Sequence, residues 1–153
     1  LDAQNATDAK SFLSLTNGVA YTMQDAFGIQ GDIHILYYFD FLSGEGNVIS
    51  SPGANIDNSV YTGDYGLSNW TTKNTTRFYP VNLTQGQFEA ITDPVYVVGL
   101  YSEADGKRKA KNLAVGDTYS FKVESTSKYG VLRVYQVDGQ DSGSVVFTVA
   151  MQK

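Results

Sequence analysis

The C-terminal forty residues constrain this chain more than any other stretch. Three runs, Val115 to Val123, Tyr129 to Val137 and Gly143 to Ala150, are rich in β-branched and aromatic residues and separated only by short Gly, Asp and Ser clusters. Links this short join antiparallel neighbours, because a parallel pair needs a crossover of about a dozen residues or more. The expectation is therefore an all-β or β-dominated chain, an antiparallel β-sandwich with one or two short helices. Its 153 residues suit one domain, able to bury roughly two thirds of its unfolded surface. Eleven Tyr and eight Phe, with only 18% charged residues, fit a sandwich core.

Residues 1–10 are polar and unpatterned and read as a tether, leaving 11–153 as the single domain. Ser11 to Leu15 could form a first strand closed by Asn17-Gly18, and a short helical turn fits around Gln24-Asp25-Ala26. Asp32 to Leu42 is the strongest strand of the N-terminal half. Ile33, Ile35, Tyr37, Phe39 and Phe41 would share one face, and His34, Leu36, Tyr38 and Asp40 the other. The second face is half apolar, so the strand should be central with something covering that face. From Ser43 to Lys73 the pattern dissolves into a loop-rich insertion of the kind that often carries function. Arg77 to Val81 reads as a short strand, at a sheet edge if Pro80 lies within it. Thr84 and Gln87 fit a capping box ahead of Phe88. Asp93-Pro94 signals another helix start, yet Val95 to Tyr101 is strand-like in composition, and both conformations stay open.

Several chemistries are excluded. With a net charge of −5 and Lys107 to Lys111 as the only basic cluster, read as a solvated loop, a nucleic-acid surface is not expected. No cysteine and one histidine rule out thiolate chemistry and zinc sites of the multi-histidine type. His34, flanked by two isoleucines, reads as a packed residue rather than a base. No pair among the sixteen carboxylates stands out for glycoside hydrolysis, so no catalytic residue, metal or cofactor is assigned. Asp138 to Gly143 has the oxygen-rich look of a calcium loop, but a hairpin turn explains it more simply. Asn5, Asn69, Asn74 and Asn82 stand in Asn-x-Thr sequons. No apolar run approaches the ~20 residues of a membrane helix. A chain opening on Leu1 fits a processed or trimmed start, with a leader or lipid anchor removed upstream.

The segment Tyr61 to Trp70 places aromatics, including the single Trp, in a Gly-rich loop among Asp, Asn and Thr. Sugar faces stack on aromatic rings while carboxylates and amides bind hydroxyls. Tyr61, Asp64, Tyr65, Asn69 and Trp70 are thus the candidate ligand-binding residues, provided Trp70 is exposed. The competing reading folds Trp70 and a Tyr back to seal the sandwich.

Leu113-Ala114-Val115-Gly116-Asp117-Thr118 with Phe121-Lys122, then Lys128 to Val134, then Gly143 and Val149 to Lys153, resembles the C-terminal pattern of uncharacterised cell-surface lipoprotein domains of Bacteroides-type bacteria. Ser11 to Ser14, Tyr37 to Asp40, Ser51-Pro52, Trp70 to Thr75 and Phe88 to Ile91 extend the resemblance over most of the chain. It implies a β-sandwich-like fold, export to the outer-membrane surface or periplasm, and membrane contact only through a removed N-terminal lipid anchor. No catalytic residue follows from it. The leading expectation is a non-enzymatic surface or periplasmic domain that binds a polysaccharide through the 61–70 aromatic loop, its partner being that polysaccharide or an outer-membrane protein. The alternatives are a pilus-like or envelope-assembly component, which would leave an unpaired sheet edge for a neighbour's strand, and a carboxylate-based glycoside hydrolase.

Overall fold

The computed structural model describes residues 1–152. In chain order the strands are β1 (Phe12–Ser14), β2 (Val19–Tyr21), β3 (Ile35–Asp40), β4 (Gly46–Ser50), β5 (Thr76–Val81), β6 (Lys109–Ala110), β7 (Thr118–Val123), β8 (Lys128–Asp138) and β9 (Ser144–Met151). Three short helices join them: α1 (Met23–Phe27), α2 (Gln85–Glu89) and α3 (Pro94–Gly99). The strands form two antiparallel sheets, ordered β2-β1-β3-β4-β6 and β5-β7-β8-β9. The architecture is the expected β-dominated sandwich, with one helix more than expected.

Alternation along β3 sets the layers. Ile35 and Tyr37 enter the core between the sheets with Ile49, Phe78, Phe121, Leu132 and Val134. Leu36 and Tyr38 point the other way and join Phe12, Val48, Tyr61, Leu67 and Trp70 in a second core. β3 is thus a central strand whose second face is covered by α1 and the 51–74 loop. Ile33 departs from the expected face and lies in that second core. A 3-10 turn at Gln30–Asp32 delivers it before strand geometry begins, so the alternation does not reach back to it. Phe41 lies beyond the strand and is 59% exposed.

The expected loop from 43 to 73 conceals β4, which pairs with β3 from Leu36↔Ser50 to Asp40↔Gly46. Gly46 and Asn47 are poor strand formers, and pairing to a buried neighbour overrides them. β5 is an edge strand containing Pro80, as the sequence suggests. The capping box forms: Gln87 N donates to Thr84 Oγ1 at 3.2 Å and Thr84 N to Gln87 Oε1 at 2.8 Å. The open question at 94–101 resolves as helix α3, with Val95 N donating to Asp93 Oδ1 at 2.8 Å. Its Val97 joins Leu83, Phe88 and Val131 in a third cluster on the outer face of the second sheet.

Two basic readings of terminal and loop segments are corrected. Residues 1–10 do not hang as a tether. Ala3 is fully buried in the central core, and Gln4 bonds both backbone groups of Phe39, accepting from its N at 2.9 Å and donating to its O at 2.8 Å. Residues 107–110 are not a solvated loop either. Lys107 exchanges reciprocal backbone bonds with Phe78 of β5 at 2.6 and 2.8 Å, and β6 then pairs with β4. That segment ties one lateral edge of each sheet together and closes that side of the sandwich.

Candidate functional site

Tyr61 and Trp70 are each only 5% exposed, so the aromatic loop is not a binding platform. Phe12 explains why: its ring centroid lies 4.8 Å from that of Tyr61 and 5.5 Å from that of Trp70, all over the outer face of the first sheet. That face must be shielded from water, and the insertion contributes its largest side chains to do so. The Tyr61 hydroxyl donates to Tyr37 O at 2.5 Å, and burial pushes its pKa up. Trp70 Nε1 donates to Tyr65 O at 3.0 Å. Gly66 makes the tight return possible, since a Cβ there would stand 2.4 Å from Tyr61 O. Asn69 spends its amide on Gly63 O and Asp64 O, at 3.0 and 3.2 Å. Of the five candidates, Asp64, Asn69 and Tyr65 remain at the surface, with Tyr65 edge-on to Phe27 at 5.5 Å. The loop seals a core. The requirement set on it, an exposed indole, fails.

The other flagged residues are structural as well. His34 is 3% exposed and its Nδ1 accepts from Leu15 N at 3.2 Å. Asn74 is buried and donates to Gly31 O and Ile33 O at 2.6 and 2.9 Å, so its sequon is not presented, whereas Asn5, Asn69 and Asn82 are exposed. Residues 139–143 form the β8–β9 turn, held by Ala3 and Asn5, whose backbone N–H groups donate to Gly143 O and Asp141 O. Among the described residues no group of three or more His, Asp or Glu gathers as a metal site would require.

What the fold leaves open lies on the side opposite the 107–110 closure. β9 is an edge strand of eight residues without charge or proline. Its start is occupied by the chain's own first residues. Leu1 and Val145 exchange two backbone bonds of 2.8 Å, and Asp2 bridges Ser144 in antiparallel sense. Since Val145 directs its backbone outward, the twofold period of a strand directs Phe147 and Val149 outward too. Beyond Val145 no described residue continues the ladder along this edge. Beside it runs an apolar cleft of about 530 Å³ between the sheets, with Leu1, Leu13 and Leu15 on one wall and Phe147, Val149 and Met151 on the other. Its walls are continuous with the central core. Sequence reasoning found the strand but not its exposure. The available signal was the absence of any Lys, Glu or Pro in Ser144–Met151, since protected edges carry such residues.

The fold has been seen before. A crystal structure of a DUF4466 family protein from Parabacteroides merdae superposes on 97% of this chain with a TM-score of 0.66, at 16% sequence identity. The chain spans about half of that protein, 51% of its length. At that identity the likeness establishes the fold, and it comes from an uncharacterised family of a Bacteroides-type bacterium. No family model and no curated protein sequence matches the chain. The neighbour has no established function, and nothing in the described clefts points to catalysis.

Proposed function

We propose that this domain is a non-enzymatic protein-binding module of the cell envelope, which accepts an extended polypeptide strand along β9. One observation carries this reading: among the described residues β9 is unpaired at its outer edge beyond Val145 and stands beside an apolar cleft open to the core, and Leu1 and Asp2 already pair with its start in antiparallel sense. Strand addition supplies affinity through main-chain bonds and specificity through alternate side chains placed in the cleft. An incoming strand would bond Phe147 and Val149 and set every second residue over Leu13 and Leu15. The structural assembly alternative is therefore favoured over polysaccharide binding at 61–70, where two of the three aromatic rings are buried. Export and a lipid anchor belong to the same proposal, supported by the lipoprotein resemblance alone.

A suitable probe is a fluorescent peptide with the sequence of residues 144–151, flanked by lysines for solubility, because its alternation matches the edge it would meet. Saturable binding by anisotropy is expected, with loss in a Val149→Pro variant. Proline there removes an outward N–H while the ladder to β8 uses the neighbouring residues. A flat titration, or equal binding by a folded Val149→Pro variant, overturns the proposal.

A further inference from the structure

The opposite side of the sandwich has a different chemistry. The 107–111 segment crosses beside β5 and borders a second cleft of about 680 Å³. Five of the chain's eleven cationic residues line it, Arg77, Lys107, Arg108, Lys109 and Lys111, and among its sixteen acidic residues only Glu45 does. Arg77 Nε is paired with Glu124 Oε1 at 2.5 Å. Glu45 is shared: Lys109 Nζ and Lys111 Nζ approach its two carboxylate oxygens at 2.8 and 2.6 Å. Lys107 and Arg108 are exposed, and no described carboxylate lies within 4.0 Å of their charged groups. Arg108 is oriented by donating to Gly53 O at 2.8 Å, which leaves the rest of its guanidinium for a ligand. The apolar part of the wall comes from Pro80, Ala110 and the half-buried ring of Tyr119.

The backbone here decides which anion fits. β5 bonds β7 through its odd-numbered residues, as the Glu124 N to Thr75 O bond of 2.9 Å shows, so Thr76, Phe78 and Pro80 face outward. Thr76 N is spent on Ser51 Oγ at 2.9 Å, Phe78 N on Lys107 O at 2.6 Å, and Pro80 has no N–H. A peptide would find no main-chain ladder on this edge. A ligand that bonds through charged side chains and lays an apolar face on rings meets no such obstacle.

We infer that the cleft between β5 and residues 107–111 binds an acidic polysaccharide, its carboxylate or sulfate groups on Lys107 and Arg108 and a sugar face against Tyr119 and Pro80. The site is separate from β9 and independent of the strand-binding proposal. Calorimetric titration with an oligogalacturonate hexamer and with a heparin hexasaccharide tests it and separates carboxylate from sulfate. Saturable binding of at least one is expected at about 20 mM salt, weakened at about 500 mM as ion pairs are screened. The double variant Lys107→Gln with Arg108→Gln should bind at least tenfold more weakly. A control with the same charge change elsewhere, Lys10→Gln with Lys128→Gln, should bind within twofold of the parent, each protein being checked for an unchanged melting temperature. No binding of either oligosaccharide overturns the inference. So does equal weakening in the control pair, which would mean a general attraction, and so does tighter binding of polyglutamate than of both sugars.

Discussion

Gly130 shows how a single residue can be dictated by its cross-strand partner. It faces Phe121 across the β7–β8 ladder, and the Phe121 ring covers it so closely that a Cβ would stand 2.3 Å from Cζ. Both ring and glycine belong to the centre of the second sheet, and Phe121 is fully buried in the main core. Gly130→Ala should therefore overpack this contact and cost about 1–3 kcal/mol, read as a lowered urea midpoint with an unchanged slope. His34 gives the residue scale a pH signature. Burial lowers its pKa below the ordinary histidine value, with Asp32 pulling weakly the other way. Above about pH 6.5 the histidine is neutral in both folded and unfolded chains. Below that, the unfolded chain takes up the proton first, so stability falls as pH drops through about 6.5 toward the lower folded value. Urea midpoints measured from about pH 7.5 down to about pH 5 should fall, and a His34→Gln variant should flatten that slope.

At the scale of elements, the helices depend on signals that the strands do not need. α2 and α3 have five and six residues, too short to persist alone. They persist because their first turns are capped and because Phe88 and Val97 dock on Val131 of β8. Val95, Tyr96 and Val98 stay exposed, which is why a segment with strand composition can nevertheless be a helix: the Asp93 cap and Pro94 set its start. Thr84→Ala should cost about 0.5–2 kcal/mol, as cap removal does elsewhere. Because α2 covers only one face of the second sheet, hydrogen exchange should accelerate across residues 85–99 while β7 and β8 stay protected. Uniform acceleration over the whole chain would contradict that account. β4 is the converse case. Its sequence carries a weak strand signal, and the element exists because β3 and β6 lie on either side of it.

The whole molecule is a sandwich closed on one side and open on the other. On the closed side residues 107–110 join β4 to β5; on the other side, among the described residues, Leu1 and Asp2 alone pair with the outer edge of β9. Residues 1–4 are therefore a structural part of the domain, through Ala3 in the core and Gln4 on Phe39. Deleting them should uncover Ser144 and Val145, lower the melting temperature by about 2–4 °C for each lost ~1 kcal/mol, and promote association through the lengthened edge, visible by sedimentation velocity. Much of this architecture was legible beforehand. The alternation of β3, the three C-terminal runs, Pro80 at an edge and the Thr84–Gln87 cap are local patterns, written in side-chain period and turn chemistry. The site was not. Tyr61 and Trp70 sit in a loop whose composition suits ligand binding and core sealing equally, and only the position of Phe12 on the sheet beneath them decides for the core. Likewise the run Ser144–Met151 specifies a strand, but whether that strand is central or lies open at an edge depends on where eight other strands are placed. Periodicity is a property of neighbours in the chain and was determined by sequence alone. Exposure is a property of neighbours in space, and only the tertiary structure decided it.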